Sequence, residues 1–170
     1  SRAWIETQGE VLLAVDRDVT GTPLKQPEQL VITWRDSMKL DQDQITFAGS
    51  VLAKTAAGWL QSPRLVARLS APVRFDGGAA GARPELTQID CYDGVRLRYD
   101  VHDDAGLTAR QRADLRTLSV NLATGQIAGN GPGQIESVHL AAGSSPLAKL
   151  AGQNAVAANQ PPQRLRYLQT

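Results

Sequence analysis

Two histidines, one cysteine and a scatter of carboxylates are the side chains with which this sequence could do chemistry. His102 sits in Asp100-Val101-His102-Asp103-Asp104. Alternate residues of a strand point to one face, so Asp100 and His102 could both reach an ion. The simpler reading is a solvated hairpin turn across His102-Asp103-Asp104-Ala105-Gly106, where Asp bonds its own backbone. His139 has no second ligand type beside it. Cys91 is the single cysteine. It therefore excludes an internal disulfide and a cysteine-pair zinc site, and next to Tyr92 it reads as a small buried hydrophobe. Ser, His and Asp are all present for a nucleophilic triad, but no Gly-x-Ser-x-Gly elbow occurs and Cys91 has no histidine nearby in the chain. Asp90, Asp93, Asp100 and Glu136 offer carboxylates for glycoside hydrolysis without singling out a pair. Gly129-Asn130-Gly131-Pro132-Gly133 lacks the Lys-Ser/Thr and the helix that a phosphate loop needs. The expectation is a protein that is not an enzyme, with no metal and no cofactor.

The arginines are the richer resource, 14 of the 18 basic residues. Arg64 and Arg68 share a strand face, as do Arg96 and Arg98, and Arg110, Arg112 and Arg116 follow closely. Asp90, Asp93, Asp100 and Asp114 are neighbours able to cancel their field. With 17 acidic residues and a formal net charge of +1, the chain lacks the concentrated basic surface that a general grip on nucleic acid requires.

These residues must be positioned by strands, because the dominant pattern is alternation with period two. Ala3, Ile5, Thr7, Gly9, Val11, Leu13 and Val15 fall on one face of a first segment. Leu30, Ile32 and Trp34 begin a second, which Met38 and Leu40 extend. Ile45, Phe47, Gly49, Val51 and Ala53 alternate in a third, and Leu65, Ala67, Leu69, Ala71, Val73 and Phe75 in a fourth. The Gly/Ala loop 76–84 is the best internal break. Alternation returns with Val95, Leu97, Tyr99 and Val101 and, after a polar stretch, with Leu118, Val120 and Leu122. Short, turn-rich connections make this an antiparallel all-β chain. The tail from Ala141 has no acidic residue. Ser145-Pro146 caps a possible short helix near 146–158, and 141–163 is an Ala/Gln-rich linker. Arg164-Leu165-Arg166-Tyr167-Leu168 reads as a last strand, 164–170, paired elsewhere in the chain or cut from a longer protein.

At 170 residues, with 42% hydrophobic and 21% charged, the chain fits one globular domain with its own core. No apolar run approaches the roughly 20 residues that span a bilayer. The chain starts at Ser1 without Met or signal-like regions, which reads as an excised or processed segment.

A Gly-led strand recurs at spacings of about 40 residues, as Gly9-Glu10-Val11, Gly49-Ser50-Val51 and Gly94-Val95, with a degenerate copy at Gly131-Pro132-Gly133-Gln134-Ile135. Gly within a strand marks a bulge or a close backbone approach. Together with Asp36-Ser37-Met38-Lys39-Leu40-Asp41 and the passage from Leu118 to Gly131, this repeat resembles the OstA-like family, the periplasmic lipopolysaccharide-transport proteins of the LptA type. The resemblance covers residues 1–140, and the Gly/Ala loop and the tail suggest a larger, divergent member.

The resemblance implies a taco-shaped antiparallel β-jelly-roll with an apolar interior for lipid acyl chains. It also implies a place in the periplasm or cell envelope, with lipopolysaccharide or another amphipathic lipid and further modules stacked end to end as partners. Candidate groove liners are Ile32, Trp34, Phe47, Val51, Leu65, Leu69, Val95, Leu97, Tyr99, Leu118 and Val120, residues that would equally form a closed sandwich core. Arg64, Arg68, Arg96 and Arg98 are candidates for a phosphate-binding rim at the groove mouth, since guanidinium forks match phosphate geometry. Two further readings are a β-sandwich carbohydrate-binding or adhesion module, for which Trp4, Trp34, Trp59, Tyr92 and Tyr99 are the available aromatics, and a purely structural stacking module.

Overall fold

The computed structural model describes residues 2–19, 21–73, 84–103, 106–139 and 164–169. Among these residues every regular element is a strand, and the thirteen strands pair antiparallel without closing into a barrel. In chain order they are β1 (Arg2–Ile5), β2 (Gly9–Arg17), β3 (Pro23–Trp34), β4 (Ser37–Asp41), β5 (Gln44–Lys54), β6 (Gly58–Leu69) and β7 (Leu86–Tyr92), then β8 (Val95–Asp103), β9 (Gly106–Leu115), β10 (Thr117–Asn121), β11 (Gln126–Asn130), β12 (Gly133–His139) and β13 (Arg164–Gln169).

β5 and β6 each belong to two layers. The first part of β5 pairs with β4 and with the last part of β6, through Met38↔Phe47 and Phe47↔Leu65. Its last part pairs with β3 and with the first part of β6, through Ile32↔Ala53 and Ala53↔Leu60. β6 divides likewise between β8 and β7. One layer therefore runs β2-β3-β5-β6-β8-β9-β12-β13 and the other β1-β4-β5-β6-β7-β10-β11. This is a folded-over antiparallel sandwich of the jelly-roll kind, the all-β class that the alternation predicts.

The chain bends where local chemistry lets it. In β5 the register breaks between Ala48 and Val51, and Gly49 and Ser50 both have positive φ, +84° and 47°. A Cβ on Gly49 would run into the Asp36 carboxyl group. Arg35 N–H donates to Gly49 O at 2.7 Å and Asp36 N–H to Ala48 O at 3.1 Å, tying the β3–β4 corner to the bulge. In β6 the bend falls at Pro63, which has no N–H to give a ladder, and Ser62 Oγ donates across it to Arg64 O at 2.9 Å.

The Gly-led repeat acquires a structural meaning from these bends. Gly9, Gly49, Gly94 and Gly133 all stand where the chain passes from the β1-β4-β7-β10-β11 layer into the other one. The return passages fall at Arg35-Asp36, at Pro63-Arg64 and at Arg116, without glycine. The period of about 40 residues is thus one circuit through both layers. The layer crossings lie along one long side of the sandwich, and the described turns at 42–43, 55–57 and 122–125 lie along the other.

Several sequence expectations change. The single strand drawn from Ala3 to Val15 is two strands in different layers, interrupted at residues 6–8. Met38 and Leu40 do not extend the strand of Ile32 and Trp34 but form β4 beyond a corner. The polar stretch after Leu107 is β9, whose inward residues Ala109, Gln111 and Ala113 are small or polar and so hide the alternation. The helix expected near 146–158, the linker 141–163 and most of the Gly/Ala loop lie outside the described residues. The last strand finds its partner within the chain: β13 pairs with β12, with Tyr167 opposite Ile135.

Candidate functional site between the two layers

All of the predicted groove liners face inward or border the interior. Ile32, Phe47, Val51 and Leu65 are fully buried, Trp34, Leu69, Val95, Leu118 and Val120 nearly so, and Leu97 and Tyr99 are half-buried. They do not do one job. Ile32, Trp34, Phe47, Val51 and Leu65 form close-packed core near the corner of β1 and β2. There the Trp34 and Phe47 rings lie 5.2 Å apart, tilted by 45°. Trp34 Nε1–H donates to Thr7 O at 2.8 Å, and the indole lies so close to Gly9 that a Cβ there would come within 2.5 Å of its Cζ2.

The other part holds a cavity of about 140 Å³ between the layers. Leu97, Tyr99, Leu118 and Val120 line it, joined by residues that sequence reading did not assign to a site, among them Leu24, Leu30, Leu60, Leu86, Leu122 and Ile127. Leu86 and Ile127 were missed because the apolar residues of β7 do not alternate cleanly and β11 carries few of them, so neither stood out as a strand. Gln111 was missed for the same reason on β9, although it is fully buried and lines the cavity.

The wall is mostly leucine, valine and isoleucine, and Thr55, Arg98 and Gln111 also border it; further polar residues stand at one end. There Arg17, Asp18, Glu28 and Tyr99 surround the space near the β2–β3 hairpin. Arg17 donates to Gly21 O at 3.1 Å. Burial, followed by the charges of Asp18 and Glu28, raises the Tyr99 hydroxyl above the ordinary tyrosine pKa. The same hairpin touches the opposite layer: a Cβ on Gly21 would lie 2.7 Å from Gly125 N, at the β10–β11 turn.

The four rim candidates divide between two outward faces. Arg64 and Arg68 lie on the β6–β7 face, where Arg68 reaches Asp90 at 3.6 Å and Arg64 reaches Asp93 at 3.8 Å while its guanidinium stacks 4.3 Å from the Tyr92 ring centre. Arg96 and Arg98 lie on β8, on the other layer, and of the four only Arg98 borders the cavity. The expected neutralisation by aspartates is seen directly. Asp100 accepts from Arg110 Nε at 2.9 Å and from Arg98 at 3.1 Å, and the Arg110 bond, then that from Arg98, holds its carboxyl down at about 2 against the opposing effect of burial. His102 is exposed at the end of the same strand. No group of three or more metal-binding side chains occurs among the described residues.

Cys91 is buried, and its thiol is pushed up to about 12, chiefly by burial. Of the aromatics available to a sugar platform, Trp34 is buried, Tyr92 is covered by Arg64, and Trp4 is 69% exposed at the edge strand β1. No helix among the described residues is long and apolar enough to cross a membrane. Compared with known proteins, the chain matches no family model and no curated protein.

Proposed function

We propose that this chain is a non-enzymatic cell-envelope module that holds an apolar ligand, a lipid acyl chain, between its two layers, as the OstA-like resemblance implies. The observation that carries the reading is the cavity of about 140 Å³ walled by Leu, Val and Ile from both layers. Its size is close to that of an engineered apolar cavity of roughly 150 Å³ that stays dry and admits benzene. It takes a short segment of chain, and each methylene moved into it from water contributes roughly 0.8 kcal/mol. Such binding requires no catalytic group.

End-to-end association with like modules belongs to the same proposal. Among the described residues β1 and β2 are edge strands at one end of the sandwich, β11 and β13 at the other. Exposed Trp4, Ile5 and Leu12 lie at the β1–β2 end. Unpaired edges of this kind are templates for adding strands of a second molecule.

Native mass spectrometry of the gently purified chain tests the lipid reading. Retained phospholipid or lipid A-like mass is the expected result. A clean apo species that also takes up no added lipid would overturn it and leave a structural sandwich.

A further inference from the structure

β3 is 12 residues long, yet its ladder with β5 covers only Val31–Thr33. From Gln29 back to Pro23 it pairs with β2, through Ala14↔Gln29, Val15↔Glu28 and Arg17↔Pro23. The sequence keeps the outer side of this stretch unladdered. Pro23 and Pro27 have no N–H to give a further strand, and Lys25 between them is exposed; proline and lysine are residues with which proteins blunt a strand edge. Residues 14–19 and 21–29 thus form a two-stranded ribbon that runs past the β5–β6 turn. Such a ribbon is marginal in water by itself, so its position depends on what it packs against.

It packs over the cavity. Val15, Val19 and Leu24 line the space from the ribbon, as Leu86, Leu118 and Ile127 do from the other layer. Asp18 and Glu28 lie close enough to Tyr99 for their charges to act on its hydroxyl, although β8 is three places along the sheet from β3. At the tip, a Cβ on Gly21 would lie 2.7 Å from Gly125 N and 3.2 Å from Leu122 O, so the ribbon reaches the β10–β11 turn. Its own turn is closed internally: Asp18 N–H donates to Thr22 O at 2.9 Å and Gly21 N–H to Asp18 O at 3.0 Å. The ribbon therefore crosses the cavity as one unit, with apolar side chains turned toward the space it covers.

We propose that this ribbon is the cover of the apolar cavity, swinging about Leu13–Ala14 on β2 and Gln29–Leu30 on β3 to admit a ligand, and reseating with Gly21 against Gly125. The inference rests on the apolar-ligand reading above and adds its route of entry. Lifting the ribbon keeps its ladder bonds intact, because they run between β2 and β3. Opening the wall elsewhere breaks ladders, since β7 is paired to β6 and β10, and β8 to β6 and β9. A ligand in the cavity restores apolar contact beneath the ribbon and so favours the closed position.

Native-state hydrogen exchange on the unaltered chain is the first test. Ladder-bonded amides among residues 14–17 and 28–29 should exchange together, about tenfold or more faster than those among 9–12 and 31–34 of the same strands, and toluene at saturation should slow them. The second test is the rate at which bound toluene exchanges with free toluene, read by NMR saturation transfer. Gly21→Ala sets a methyl against the Gly125 backbone and should speed that exchange several-fold. Gly94→Ala, also at a positive φ but with open space around it on the other long side, should leave the rate unchanged. If Gly21→Ala does not fold, the hydrogen exchange decides. Uniform protection along both strands, or an unchanged toluene rate in Gly21→Ala, overturns the cover, and toluene binding then leaves the apolar cavity standing. Failure of toluene to bind the unaltered protein removes both.

Discussion

Cys91 and Asp100 are both titratable groups on strands, yet their surroundings push them in opposite directions. Cys91 faces the interior with Ser62 as its hydrogen-bond partner, and burial lifts its thiol to about 12. At pH 8 roughly one molecule in ten thousand then carries the reactive thiolate. Iodoacetamide should leave the native protein unmodified over hours and label it fully in denaturant; rapid native labelling would mean that β6 and β7 part readily. Asp100 sits between Arg98 and Arg110, and its carboxyl is held at about 2. Because that folded-state value lies below the ordinary carboxylate pKa of roughly 3.9, the stabilisation is complete above pH ~4 and fades as the pH falls toward 2. Asp100→Asn should therefore be less stable than the parent at neutral pH, and chemical denaturation should show the two converging near pH 2. The cluster was partly legible in the sequence, since Asp100 was named as a neighbour cancelling arginine charge. That Asp100 is shared between two strands required the β8–β9 register, which the polar residues of β9 concealed.

At the level of elements, alternation reveals a strand only when its inward residues are apolar. β5 and β8 meet that condition and were legible; of β3 only the part from Leu30 to Trp34 was, and its continuation into Met38 and Leu40 was not. β9 does not, because Ala-x-Gln-x-Ala turns inward. The corners were harder still: nothing in Ala3 to Val15 breaks the alternation, yet the chain leaves one layer and enters the other at residues 6–8. The glycine repeat was visible, and its meaning as the marker of one direction of crossing emerges only from the pairing. Its members are not equivalent. Gly94, at φ +101°, has open space around the position of a Cβ, whereas Gly49, at φ +84°, has the Asp36 carboxyl in it. Gly94→Ala should cost about 1–2 kcal/mol, the price of a positive φ alone. Gly49→Ala should cost more, and pairing it with Asp36→Ala should recover part of the excess in a double-mutant cycle. Equal losses at the two glycines, or no coupling with Asp36, would show that the bulge yields without resistance.

For the molecule as a whole, groove and core proved to be neighbours within one interior. The sequence pattern treats Phe47 and Leu118 alike, because both are inward apolar residues on central strands. Packing separates them: Trp34 and Phe47 lie against each other near one end, while Leu118 and the small inward residue Ala53 line the cavity. No alternation pattern carries that information, since it depends on which residues of two layers meet. The β5–β6 hairpin has a consequence of a different kind. Among the described residues it is the one hairpin that contributes ladder hydrogen bonds to both layers, so neither layer can detach without breaking it. Partial openings should peel away the outer strands β1, β2, β11 and β13 first, each paired on one side among the described residues. In native-state hydrogen exchange, the amides of Ile45, Phe47, Leu65 and Ala67 should then be the last to take up deuterium, at rates set by complete unfolding. Slower exchange in an outer strand than in this hairpin would mean that the molecule comes apart at its fold line.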